Sequence, residues 1–168
     1  MKHNSNYWIE HLNMKPHPEG GYFVETYRSE YKIEKSVLPN QFDGSRNIAS
    51  SIFYLMKGEG FSAFHRMKSD ENWYFHDGSP IVIYYFTSDG NMVTSILGLN
   101  PHQGHIPNIT VPAETWFAAE VLDKNSFGLA SCVVTPGFEF KDFELARQED
   151  LLLEYPQNRE LIKRLCIR

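Results

Sequence analysis

An all-β sandwich or barrel, with one short helix before it and two after it, is the fold class this chain predicts, and three observations predict it. From Gly20 to Thr135 the sequence is interrupted about every 8–12 residues by Gly, Pro, Asn or Asp. The segments between these breaks are rich in aromatic and β-branched residues. Helical spacing of apolar residues appears only at the two ends. At the N-terminal end, residues 5–12 place Trp8 and Leu12 four apart on one helical face. Strands are expected at 22–28, 49–57, 62–67, 72–76, 81–87, 92–99, 108–111, 115–121 and 127–135. Residues 38–46, with Pro39, Asn40, Asp43 and Gly44, are the expected mobile loop. Helices at 148–155 and 158–165, separated by Pro156, carry Leu151, Leu152, Leu161, Ile162 and Leu165 to cover one face or edge of the sheet.

Residues 1–168 read as a single domain, because no repeat or linker divides them. With 42% apolar and 14% aromatic residues the chain has ample material for a packed core, and needs neither a disulfide nor a structural metal to fold. Sixteen Lys and Arg against 21 Asp and Glu give a net charge of −5, so the basic excess that phosphate-backbone binding rests on is missing. Nucleic acid and anionic membrane are therefore not expected partners. The first fifteen residues hold no apolar run that could act as a signal-peptide core, and no later window is long and apolar enough to span a bilayer, so a cytoplasmic location is expected. Cys132 and Cys166 lack Cys-x-x-Cys spacing; Cys132, in an apolar run, reads as a small buried hydrophobe.

Chemistry concentrates in residues 60–78, GFSAFHRMKSDENWYFHDG. Side chains alternate across a strand, so Phe61, Ala63, His65 and Met67 share one face, and Glu71, Trp73 and Phe75 share one face of the next segment. If the apolar members mark the inside, His65 and Glu71 point inward with them. Such a pair could supply two metal ligands, a base with its orienting partner, or a core histidine satisfied by a carboxylate. Glu25 and Arg28, with Asn47, Ser50 and Ser51, are the polar candidates around the mouth; Arg28 could grip an acidic ligand or pair with Glu25. Gly20-Gly21 reads as a turn into the first strand, since a phosphate loop would need a following helix and Lys-Ser/Thr. His102 and His105 read as surface-loop histidines.

The spacing His65-x-Met67-x3-Glu71-x6-Gly78 resembles the first cupin motif, His-x-His, three or four residues, Glu, six residues, Gly. HPEGGYFVETYRS (17–29), FHRMKSDENWYFHDG (64–78), VPAETWFAAE (111–120) and TPGFEFKDFELA (135–146) resemble the signature blocks of a cupin branch known as a domain of unknown function. The resemblance implies a double-sheet jelly-roll barrel, a small-molecule ligand inside it and a homodimer. Metal-binding cupins offer two His and a Glu from the first motif and a third His from the second. Here Met67 and Phe117 stand at two of those four positions, leaving His65 and Glu71 as the remaining candidate ligands. No cofactor is expected, and a divalent metal is expected well below one equivalent. Glu114 replaces the Gly of the second motif, which puts the local turn in question.

A metal-free mechanism follows from similarity to the deoxysugar-nucleotide epimerases, which use an inward His as base and a Tyr as acid. On that pattern His65 is the acid/base, Glu71 or Asp70 orients it, and Tyr84, with Tyr74 and Tyr85 as alternatives, supplies the phenol. Glu25, Arg28, Ser51, Phe61, Met67, Trp73 and Phe117 complete the expected ligand wall. Two functional expectations result. One is an isomerase, epimerase or lyase acting on a sugar-like or keto-acid ligand; the other is a non-catalytic binding or sensing cupin with a degenerate metal site.

Overall fold

The computed structural model describes residues 3–167. Helix α1 (Ser5–His11) begins where the Asn4 side chain accepts the Tyr7 amide at 2.9 Å, satisfying a donor the helix cannot. It lays Trp8, Ile9 and Leu12 over Met14, Leu55, Phe127 and Leu129, and the Trp8 indole donates to Asp77 Oδ2 at 3.0 Å. The strands are β1 (Lys15–Pro16), β2 (Tyr22–Arg28), β3 (Lys32–Ile33), β4 (Arg46–Asn47), β5 (Ser50–Lys57), β6 (Phe61–Met67), β7 (Asp70–Gly78), β8 (Ile81–Phe86), β9 (Met92–Leu97), β10 (His105–Ile106), β11 (Asn108–Val111), β12 (Phe117–Val121), β13 (Phe127–Thr135) and β14 (Phe143–Leu145). Helices α2 (Gln148–Glu154) and α3 (Arg159–Leu165) end the chain. Of the strands the sequence did not predict, β1, β3, β4 and β10 span two residues each and β14 three, too short for a readable period.

One sheet runs β1-β2-β5-β13-β7-β11 and the other β10-β9-β8-β12-β6-β14, with β3 and β4 pairing apart. Strands remote in the chain lie side by side, β5 with β13 and β6 with β12, which is the wrapped connectivity of a jelly roll. Between the sheets lies the main core, where Tyr54, Met56, Trp73, Ile81, Ile83, Phe117, Val121 and Cys132 interdigitate. The outer face of β6, β8 and β12 is covered as well. Leu151, Tyr155, Ile162 and Leu165 pack there on Phe64, Phe86 and Ala118, with the Phe86 and Tyr155 rings stacked 3.7 Å apart.

That second layer corrects two expectations. Register pairs Phe117 with His65 but Ala119 with Ser62, so one extra residue is accommodated on β6 as a bulge. His65 and Met67 keep the inner face, whereas Phe61 is turned to the outer one, against the helices. Tyr84 also faces the helices, opposite Ala118, and its hydroxyl donates to Glu120 Oε1 at 2.9 Å.

The expected mobile loop is anchored. Phe42 is 2% exposed, and the buried Arg46 guanidinium donates to Asp142 Oδ1 at 2.7 Å and Asp43 Oδ1 at 2.8 Å. His105, expected at the surface, is buried with Nδ1 accepting the Asn100 amide at 3.3 Å. Glu114 adopts φ 60°, in the left-handed region that favours glycine, at the position where the second cupin motif carries one.

Candidate functional site

A cavity of about 130 Å³ opens between the sheets at one end of the barrel. Its walls come from β2 (Phe23, Glu25, Arg28), β5 (Ser50, Ile52, Tyr54), β6 (His65, Met67), β7 (Glu71) and β13 (Cys132, Val134). Two connections close over it: the turn carrying His17 and Glu19, and the segment carrying Phe138, Glu139 and Phe140.

The turn before β2 is held where a backbone with side chains could not sit. Gly20 takes φ 111° and Gly21 φ 66°, and a Cβ on Gly20 would strike the Phe61 carbonyl. This close approach lets the Ala63 amide donate to Glu19 O at 2.8 Å and the Tyr54 hydroxyl to Gly20 O at 2.8 Å. The Glu19 carboxylate is thereby delivered against β6. Ser62 Oγ donates to its Oε1 at 2.7 Å, while Oε2 lies 3.3 Å from His65 Nε2 and 3.5 Å from His17 Nδ1.

His65 is 1% exposed, and its Nδ1 lies 2.7 Å from the Ala63 carbonyl. A carbonyl only accepts, so Nδ1 carries the proton and Nε2 is the nitrogen turned to Glu19. His17 Nδ1 accepts the Glu19 amide at 3.4 Å, and burial lowers the His17 pKa, with Glu19 opposing and His65 reinforcing the shift; the ring is neutral at pH 7.

In the same cavity, Glu71 is 7% exposed and its Oε2 has no hydrogen-bond partner among the described residues. Burial, then the charge of Glu19, pushes its pKa up to about 8, so it is a neutral carboxylic acid at pH 7; Trp73 and Cys132 offset part of this. The Cys132 thiol is pushed up by burial and by both carboxylates, so it stays protonated and is no nucleophile.

His65 and Glu71 thus share the cavity, as expected, but His65 finds its carboxylate in Glu19 and not in Glu71. Glu25, Arg28 and Met67 line the walls. Arg28 is engaged: Nε and Nη2 grip Glu25, Nη2 at 2.7 Å from Oε2, and Nη1 donates to Phe138 O at 2.9 Å. Trp73 and Phe117 lie in the core, with Tyr54 edge-on to Trp73 at 5.5 Å and Phe117 4.0 Å from the His65 ring. Ser51 alternates away from the cavity and Ser50 faces it, its Oγ accepting the Phe138 amide at 2.9 Å. Phe61 and Tyr84 face the helices and take no part in the wall. Tyr74 is 41% exposed, Tyr85 packs on the core, and the exposed Asp70 accepts the Ala113 amide at 2.8 Å. The interior tyrosine is Tyr54, which the sequence reading did not single out. His17 and Glu19 were also passed over, although their HPEGG turn combines a carboxylate and an imidazole with two glycines.

Residues 6–146 match the model of the Cupin superfamily family DUF985. The chain is a DUF985 cupin. A protein from Saccharomyces cerevisiae described as uncharacterized is 31% identical over 150 residues, covering 81% of this chain and 72% of its own. Among solved structures, a hypothetical protein from Leishmania major superposes with TM-score 0.89 at 30% identity, covering 99% of this chain and 100% of its own. A Shewanella oneidensis protein does so at 0.87 and 38%, covering 98% of each. Bacillus subtilis oxalate decarboxylase reaches 0.53 at 16% identity over 89% of this chain and 36% of its own, a likeness of fold alone. The metal that many cupins hold does not fit these residues. Met67 and Phe117 replace two of its usual ligands, and no group of three or more His, Cys, Asp or Glu among the described residues is placed to hold an ion.

Proposed function

We propose that this DUF985 cupin moves a proton on a small molecule bound in the barrel, the chemistry of an isomerase, epimerase or lyase. The observation that carries the reading is the Glu19 carboxylate, buried against His65 Nε2 at 3.3 Å and sharing the cavity with a neutral Glu71. His65 and Glu19 accept a proton as a pair, the carboxylate stabilising the imidazolium that forms. Glu71 is the proton donor, in the place first expected of Tyr84, because a carboxyl with a pKa near the working pH gives up its proton readily.

The test is a thermal-shift screen of sugars, sugar nucleotides and keto acids, followed by NMR in D2O for deuterium entering each hit. A ligand at 100 times its dissociation constant stabilises by about 2.7 kcal/mol. His65→Asn and Glu19→Gln are each expected to lower turnover about 100-fold with the fold retained. A hit that binds with neither turnover nor deuterium uptake identifies a binding cupin instead. If His65→Asn lowers stability but leaves binding and turnover unchanged, His65 is a core residue and the proposal fails.

The homodimer is carried forward on one feature of the fold. β1 covers only Tyr22 and Phe23 on the edge of β2, leaving the hydrogen-bonding groups further along that edge open to a second copy. Light scattering at micromolar concentration is expected to give twice the chain mass; a monomer mass refutes it.

A further inference from the structure

Charge is distributed unevenly around the cavity. Glu19, Glu25, Glu71 and Glu139 all line it, and Arg28 is the one Lys or Arg among its described lining residues. Arg28 spends its guanidinium at the rim, bonded to Glu25 and the Phe138 carbonyl and 3.9 Å from Glu139. No Lys or Arg is left for Glu19 and Glu71. Glu71 Oε2 is buried and without a partner among the described residues, although a buried polar atom ordinarily finds one.

We infer that the cavity selects a small organic cation, a primary amine on a short body, over neutral or acidic ligands of the same size. The inference rests on the proposed reading of the cavity as a ligand site, but not on the proton transfer assigned to it. An ammonium group both donates to the unpartnered Glu71 oxygen and adds a counter-charge for Glu19 in the same cavity. The raised Glu71 pKa agrees, since its first two causes, burial and Glu19, are both countered by an adjacent cation. The aromatic rings of Phe138 and Phe140, set edge-to-face at 5.1 Å at the mouth, add faces for a cation to pass. A carboxylate or phosphate would enter against Glu19 with Arg28 already committed. A neutral hydroxyl could bond to Glu71 but would add no counter-charge for Glu19.

Two charge-matched sets test this by titration calorimetry at pH 7: glucosamine, N-acetylglucosamine and glucuronate; benzylamine, N-benzylacetamide and benzoate. In at least one set the amine is expected to bind about tenfold or more tighter than its neutral counterpart, and the acid weakest. Glu71→Gln, of nearly the same shape but unable to ionise beside a bound cation as Glu71 does, is expected to bring amine and amide within about threefold of each other. The wild-type order decides the matter even if the variant folds poorly. Neutral or acidic members that bind as tightly as the amines overturn the cation inference and leave the cavity reading standing. Selectivity that survives Glu71→Gln overturns the role given to Glu71. If none of the six binds, the cation inference fails, whereas the separate screen of sugars, sugar nucleotides and keto acids decides whether the cavity takes a ligand at all.

Discussion

Replacing Glu71 with Gln is expected to stabilise the fold by a few kcal/mol at pH 8 and to change it little at pH 5. In the folded protein the Glu71 carboxyl keeps its proton up to about pH 8, against about 4.5 for the same group in an unfolded chain. Between those values the unfolded state binds fewer protons, so this residue's contribution to stability falls as pH rises. Each unit of separation corresponds to about 1.36 kcal/mol, and Gln, which has no proton to lose, escapes the loss. Urea denaturation of both proteins at pH 5 and pH 8 isolates the effect, because every other group is common to the two. A difference that does not grow with pH would mean that Glu71 is ionised in the folded state. A residue that weakens the fold at neutral pH is the kind of cost that binding sites carry. The gain in stability should therefore accompany the loss of ligand selectivity described above.

Asp142→Ala is expected to cost about 3–5 kcal/mol, because it leaves the buried Arg46 guanidinium without its main counter-charge. Arg46 is among the largest fully buried side chains and joins three parts of the chain: β4, Asp43 in the loop before it, and the turn at Phe140–Asp142. The same turn carries Phe140 over the cavity mouth, so the variant should loosen both the anchored loop and the rim. Urea denaturation measures the cost, and limited proteolysis should show new cleavage within residues 34–46. The double variant Arg46→Met/Asp142→Leu, which removes both charges while keeping bulk, should recover most of the loss. A single variant that loses less than about 1 kcal/mol would show that the pair does not hold the loop.

Much of the architecture was legible in the chain. Short aromatic and β-branched segments cut by turn residues determine an all-β fold, and the Leu-rich end determines two helices, because these patterns depend only on local propensity and on which faces must be buried. Period two also brought His65, Met67 and Glu71 to one cavity, since each shares its strand face with side chains that have to be inside. Tyr84 and Phe61 were misplaced for two separate reasons. Strand β8, IVIYYF, is buried on both faces, by the core on one side and by α2 and α3 on the other, so its apolar run carries no mark of which side is inner. On β6 the bulge changes the alternation partway along, and it exists only because β12 pairs there.

The partner of His65 could not be read from spacing at all. Glu71 is six residues from it in the chain, yet Glu19, forty-six residues away, is the carboxylate that reaches it. That choice is made where the turn at Gly20 and Gly21 presses against β6, a contact between segments distant in sequence that only the closed barrel creates. The charge state of Glu71 and the engagement of Arg28 are decided in the same way. The sequence alone determined the fold class and a His/Glu cavity; the tertiary structure decided which groups in that cavity are paired, neutral or left open, because burial and long-range contact set those properties.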